Sequence, residues 1–131
     1  MKILIIDDEA LVAMSLEFLL KLDGHEITGI ADDTASAISS AEEIRPELAF
    51  VDIQLARGSS GFDAASALSS RGILCFFLTG NVPAAPRPDL AAGCIQKPYS
   101  EEVIQGAIKV AQARLAGSEP LKDIPGELIL Y

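Results

Sequence analysis

The stretch that decides the fold is the first one, Met1-Lys2-Ile3-Leu4-Ile5-Ile6-Asp7-Asp8-Glu9-Ala10, or MKILIIDDEA. Four apolar residues, three of them β-branched, run directly into three acids. An apolar run this short, bounded by polar residues, reads as a strand buried on both faces. Neighbouring carboxylates at its end repel one another and require a cationic partner, a raised pKa or a metal ion.

Four further runs resemble the first: Glu26–Ile30, Leu48–Val51, Ile73–Leu78 and Cys94–Ile95. Amphipathic segments lie between them. Leu11, Met14, Phe18 and Leu22 recur at helical spacing, as do Ile38, Ala41 and Ile44, and then Val103, Ala107, Ala111 and Leu115. Gly24 and Pro46 follow the first two helices as stop signals. Strands alternating with helices imply right-handed βαβ units and a parallel sheet. Five such units in 131 residues fit a flavodoxin-like, doubly wound (βα)5 domain, three layers deep, with a five-stranded parallel sheet in the order 2-1-3-4-5. Pro83, Pro86 and Pro88 argue against a regular helix before Asp89 in the fourth crossover.

Composition narrows the function. Half the residues are hydrophobic, a globular proportion. A net charge of -9 argues against nucleic acid or an anionic membrane as the main partner. The apolar run after Lys2 stops at Asp7, well short of the roughly 7–15 residues of a secretory signal core. No run reaches the ~18 apolar residues of a membrane span. Cys75 and Cys94 both lie in apolar stretches and read as small buried hydrophobes in a reducing compartment. A cytoplasmic location is expected.

In open α/β sheets ligands bind beyond the carboxyl ends of the strands. The residues at those ends are selective: Asp7 and Asp8 after the first strand, Asp52 after the third, Thr79-Gly80 after the fourth and Lys97-Pro98 after the fifth. Three acids brought together need a cation. Mg²⁺ suits them, since it takes one or two carboxylates, keeps waters and accepts a phosphate oxygen. Lys97 is a point charge for an incoming phosphoryl group. The Thr79 hydroxyl can donate to that group, and Gly80 leaves room for it. Asp52 stands alone on a central strand and is the candidate nucleophile for an aspartyl-phosphate, with Asp7 and Asp8 as metal holders.

With these residues in place, residues 1–116 resemble the receiver domain of two-component response regulators. The spacing fits as well: 45 residues separate Asp7 from Asp52, and 45 separate Asp52 from Lys97. The resemblance implies that Asp52 accepts a phosphoryl group from a histidine kinase or a histidine phosphotransfer protein. It implies direct Mg²⁺ ligation by Asp8, Asp52 and the backbone carbonyl of Gln54, with Asp7 acting through water. Thr79 would be a switch hydroxyl, Lys97 would pair with the phosphoryl group, and the Lys97–Pro98 peptide would be cis. Gln54 and Asn81 would tune how fast the phosphate is lost. No catalysis beyond its own phosphorylation and dephosphorylation is implied.

Several positions depart from the receiver pattern. Cys94 stands where receivers usually carry an aromatic, and Tyr99 is either core or a substitute reporter. The loop after the nucleophile, DIQLARGSSGFDAA, has Ser60 where receivers commonly have glycine. It looks one residue longer than usual and reads either as a mobile flap over the site or as an ordinary loop. His25 sits in a turn and reads as a surface residue. Glu42, Glu43, Arg45, Glu101 and Glu102 read as solvated helix faces. Glu9 reads as the opening of the first helix, facing the positive end of its dipole.

Residues 117–131 are expected to form a C-terminal segment with no output domain. It ends on four apolar residues, Leu128–Tyr131, which either pack on their own domain or add a strand to a partner or a second subunit. The reading is a stand-alone receiver that signals through phosphorylation-dependent contacts with an effector protein, with homodimerisation possible. Its rivals are a phosphate sink without effector and an aspartyl-phosphate phosphatase. The adjacent acids do not match the Asp-x-Asp pattern such phosphatases use. A flavodoxin-like electron carrier would need a Ser/Thr/Gly-rich phosphate loop after the first strand, where this chain has acids.

Overall fold

A computed structural model describes residues 1–83 and 85–131. The elements, in chain order, are β1 (Lys2–Ile6), α1 (Ala10–Leu22), β2 (Glu26–Ala31), α2 (Thr34–Glu43), β3 (Leu48–Asp52), α3 (Gly61–Ser69), β4 (Leu74–Thr79), β5 (Gly93–Gln96), α4 (Glu101–Leu115) and β6 (Leu128–Leu130). One sheet runs β2-β1-β3-β4-β5-β6. The first five strands are parallel and keep the expected 2-1-3-4-5 order; β6 joins β5 antiparallel.

The two faces of the sheet build two cores. Alternation along β1 sends Ile3 and Ile5 to one side, against Leu16 and Leu20 of α1 and Ile104 and Ala107 of α4. It sends Leu4 and Ile6 to the other side, against Ala37 of α2 and Ala64 and Leu68 of α3. Every residue of β3 is buried, which is why the central strand is nearly all apolar until Asp52.

Three findings correct or decide between the expectations. First, α1 buries the opposite face from the one its spacing suggested. Ala13, Leu16 and Leu20 are inside, while Leu11, Met14, Phe18 and Leu22 are exposed, Leu11 by 80%. The helix is apolar on two sides, so periodicity alone fits either face. Second, among the described residues the connection from β4 to β5 holds no helix, as its prolines suggest, so four α-helices flank the sheet rather than five. Arg87 anchors this connection by lying over the Phe62 ring, 5.8 Å from its centroid. Third, the sheet gains a sixth strand: Leu128–Leu130 pack on their own domain.

The approach of β6 depends on two missing side chains. A Cβ on Gly93 would lie 2.4 Å from the Ile129 carbonyl oxygen, and one on Gly106 would lie 2.7 Å from the Pro125 ring. Both cysteines are free and buried, and burial pushes the Cys75 thiol up to about 12. No helix among the described residues is long and apolar enough to cross a membrane.

Candidate functional site

Each strand delivers its terminal residue to one edge of the sheet. Asp7 leaves β1 buried, and its Oδ1 accepts the Glu9 backbone N–H at 2.9 Å. Asp52 ends β3, also buried, and its Oδ1 accepts the Gln54 N–H at 3.1 Å. Lys97, one residue past β5, reaches back between them. Its Nζ donates to Asp52 Oδ2 at 2.8 Å, Asp7 Oδ2 at 3.0 Å and Glu9 Oε1 at 3.3 Å. The Lys97–Pro98 peptide is cis.

Glu9 therefore does more than open α1. It occupies the N-cap position without a side-chain capping bond, and its carboxylate turns instead to Lys97. Asp7, Asp8, Glu9 and Asp52 each present a carboxylate oxygen, all within 4.8 Å of one another. One ammonium faces four carboxylates. Burial raises the Asp7 carboxyl above its ordinary value, despite the Glu9 N–H and Lys97. Burial opposes the charge on Lys97 too, but its bonds to Asp52 and Asp7 outweigh that and hold it above its ordinary value.

A pocket of about 350 Å³ opens above this cluster, lined by Asp8, Glu9, Asp52, Gln54, Thr79, Gly80, Asn81 and Lys97. Asp7 lies behind it. The Thr79 hydroxyl is turned to the backbone of Asn81, donating to its carbonyl at 2.9 Å and accepting its N–H at 3.0 Å. A Cβ on Gly80 would meet nothing within 4 Å, so the space beside Thr79 is open. All the residues singled out at the strand ends thus converge. The donors are hard oxygens, several of them carboxylate, and the set fits a small divalent cation that retains waters.

The loop after Asp52 makes contacts with the turn between β2 and α2. The Arg57 guanidinium pairs with Asp32 and with Asp33 Oδ2, the latter at 2.7 Å. The Ala56 N–H donates to the Asp32 carbonyl at 2.9 Å, and the Thr34 N–H to Ser59 Oγ at 3.1 Å. Arg57 and Gly58 have positive φ, 56° and 70°, a left-handed pair within the loop. The close-packed glycine is Gly61. Its N–H donates to the Ile53 carbonyl at 2.7 Å, and its missing Cβ leaves room for the Asp52 carbonyl. The Arg57 clamp has no local sequence signal, since its partners lie 24 and 25 residues away.

Tyr99 packs with the α1/α4 core, whereas Cys94 packs with the α2/α3 core on the other face of the sheet. Tyr99 is thus half-buried against the core on the opposite face of the sheet from Cys94. His25 lies at the far end of the domain, half-buried before β2.

Comparison with known proteins agrees with this geometry. Residues 3–109 match the family model described as the response regulator receiver domain. The transcriptional regulatory protein PdtaR of Mycobacterium tuberculosis is 34% identical over 118 residues, 86% of this chain and 57% of PdtaR. The phyllosphere-induced regulator PhyR of Methylorubrum extorquens is 50% identical over 68 residues, 51% of this chain and 26% of PhyR. The chain thus spans about half the length of PdtaR or less of such relatives. The solution structure of the Erythrobacter litoralis PhyR receiver domain superposes with a TM-score of 0.76 at 30% identity, covering 94% of this chain and 95% of that one.

Proposed function

This chain belongs to the response regulator receiver family of two-component signalling, and from that premise we propose that Asp52 is its phosphoacceptor. Receiver domains partner with histidine kinases, and the acidic pocket with Lys97 is consistent with phosphoacceptor signalling. The observation that carries the reading is the placement of Asp52. It is the one carboxylate that ends a central strand, contacts Lys97 and also lines the pocket.

The proposed reaction transfers a phosphoryl group from a phosphohistidine. A carboxylate oxygen of Asp52 attacks phosphorus, the P–O bond forms, and the P–N bond to the donor imidazole breaks. Lys97 neutralises charge on the phosphoryl oxygens, and the Thr79 hydroxyl turns from Asn81 to donate to one of them. A dianionic group entering beside four carboxylates needs more positive charge than one ammonium provides. Asp8, Asp52 and the Gln54 carbonyl would hold a Mg²⁺ ion, with Asp7 behind them; its double charge would offset that of the phosphoryl oxygens. Gly80 and Asn81 border the space the phosphoryl group would take.

The donor would be a histidine kinase or a histidine phosphotransfer protein. The exposed stripe Leu11, Met14, Phe18 and Leu22 runs along α1 from the rim of the pocket, and a groove lined by Leu11, Val12, Pro98 and Tyr99 joins it to Lys97. A donor helix laid there would bury apolar side chains while its phosphohistidine faced Asp52. We place the protein in the cytoplasm, with an effector protein reading the phosphorylated state. Incubation with Mg²⁺ and acetyl phosphate should add one phosphoryl mass to the wild type and none to Asp52→Asn. Undiminished labelling of that variant refutes the assignment.

A further inference from the structure

We propose that β6, with Tyr131 behind it, is a latch on the edge of the sheet whose docking is coupled to the phosphoacceptor site through β5. The proposal rests on the reading of Asp52 as phosphoacceptor and adds how that site would be read out.

The latch closes a gap in the fold. With no helix among the described residues between β4 and β5, the α2/α3 side of the sheet is short of cover at that end. Phe62 of α3 meets Phe77 of β4 edge-on at 5.3 Å. Phe77 pairs with Cys94 across the β4–β5 ladder, and Cys94 in turn pairs with Ile129 of β6. Tyr131 packs into the same core, its hydroxyl beside the Cys94 thiol. The segment is thus seated by shape: Gly93 and Gly106 admit its backbone, and Cys94 accommodates its ring.

Its hold is slight. Only three residue pairs join β6 to β5, and Ile129 and Leu130 remain more than a third exposed. The connector from Ala116 to Glu127 contains no helix or strand. Among the described residues, the Tyr131 hydroxyl is the one buried side-chain polar atom without a hydrogen-bond partner of ordinary geometry. Undocking returns it to water, so the docked state carries a built-in cost. The backbone contributes a Tyr131 N–H bond to the Ala92 carbonyl at 2.9 Å, and Arg114 donates to the Tyr131 carbonyl at 3.3 Å.

The strand that holds the latch also carries Lys97. β5 has four residues; Gly93, Cys94 and Ile95 pair with β6, and Lys97 follows Gln96 directly. The Lys97 N–H is bonded to the Thr79 carbonyl at 2.8 Å. Phosphorylation of Asp52 would change the partners of both residues: the Lys97 ammonium must follow new oxygens, and the Thr79 hydroxyl must leave Asn81. Both adjustments fall on the ends of β4 and β5, within two residues of the Ile95–Leu128 pair. A latch held this weakly is the element that gives way.

The test uses the full chain with Mg²⁺ and acetyl phosphate, intact mass to report labelling, and hydrogen exchange to report the latch. Amides of residues 128–131 should exchange at least about tenfold faster in labelled protein, while Ile3–Ile6 stay unchanged. Labelled protein with unchanged exchange at 128–131 overturns the latch and leaves Asp52 as phosphoacceptor. Failure to label overturns both. Coupling between two binding equilibria is reciprocal. Tyr131→Phe, which deletes a buried hydroxyl whose one neighbour is the weakly bonding Cys94 thiol, should slow exchange of the unlabelled segment about threefold and weaken beryllofluoride binding by the same factor. Gly93→Val, which displaces Ile129, should tighten beryllofluoride binding. Slowed exchange in Tyr131→Phe with wild-type beryllofluoride affinity overturns the coupling.

Discussion

Gly61→Ala should disturb the phosphoacceptor more than any nearby surface change, and the structure sets the scale. An added Cβ would lie 2.1 Å from the Asp52 carbonyl oxygen, 2.6 Å from Ile53 Cα and 2.8 Å from the Asp52 carbonyl carbon. All three atoms are backbone, so no side chain can swing aside. Ordinary contact begins near 3.4 Å; the start of α3 and the end of β3 must therefore part by about 1.3 Å. Overpacking of this kind costs about 1–3 kcal/mol. The Gly61–Ile53 hydrogen bond, 2.7 Å long, would be strained, which adds roughly 1 kcal/mol. Alanine's better helix propensity returns at most ~1 kcal/mol. The net loss is about 1–3 kcal/mol, or roughly 4–11 °C in Tm for a domain of this size. Thermal unfolding by circular dichroism measures it, and acetyl phosphate labelling reports the displaced Asp52. Gly80→Ala, in open space, is the control for stability and should stay within about 0.5 kcal/mol. A Gly61→Ala protein within ~2 °C of wild type that labels at the wild-type rate would refute the reasoning.

Mg²⁺ should stabilise the wild type by about 2.7 kcal/mol at a hundredfold excess over its Kd, and Asp8→Asn should lose most of that gain, as urea unfolding with and without chelator would show. The same variant should be more stable than wild type in chelator, because one of four crowded carboxylates is gone. Burial raises the folded-state pKa of Asp7 above 3.8, so the unfolded chain releases that proton first. Wild-type stability should therefore fall as pH rises from 3.8 to the folded value and stay lowered above it. Asp7→Asn should lack this fall in a metal-free urea series. Phe18→Ser should leave stability within about 0.5 kcal/mol, since the ring is 66% exposed. It should slow transfer from a histidine kinase at least about tenfold while labelling by acetyl phosphate is unchanged; equal transfer would remove α1 from the donor-docking face.

Much of the site was legible because its chemistry sits at strand ends. A strand that is apolar throughout and then abruptly acidic announces both its burial and its exit point, so Asp7, Asp8 and Asp52 could be placed on one edge before any coordinates. Thr79 and Lys97 followed from the same alternation, and the prolines after Asn81 argued against the helix that the described residues of the fourth crossover also lack. These are local signals, carried by neighbours in the chain.

What only the tertiary structure decided depends on contacts between distant segments. The buried face of α1 is one case: Leu11-Met14-Phe18-Leu22 and Ala13-Leu16-Leu20 are both helical stripes, and only the sheet beneath chooses between them. The role of Glu9 is another, because its partner Lys97 lies 88 residues away and competes with the helix dipole for its charge. Arg57 ties the post-nucleophile loop to Asp32 and Asp33, acids that no local pattern links to it. The segment after α4 shows the limit most clearly. Four apolar residues said that Leu128–Tyr131 must be covered, but not by what. The answer lay in an absent Cβ on Gly93, an absent Cβ on Gly106 and a small side chain at Cys94, three omissions that make a slot only when the sheet and α4 bring them together.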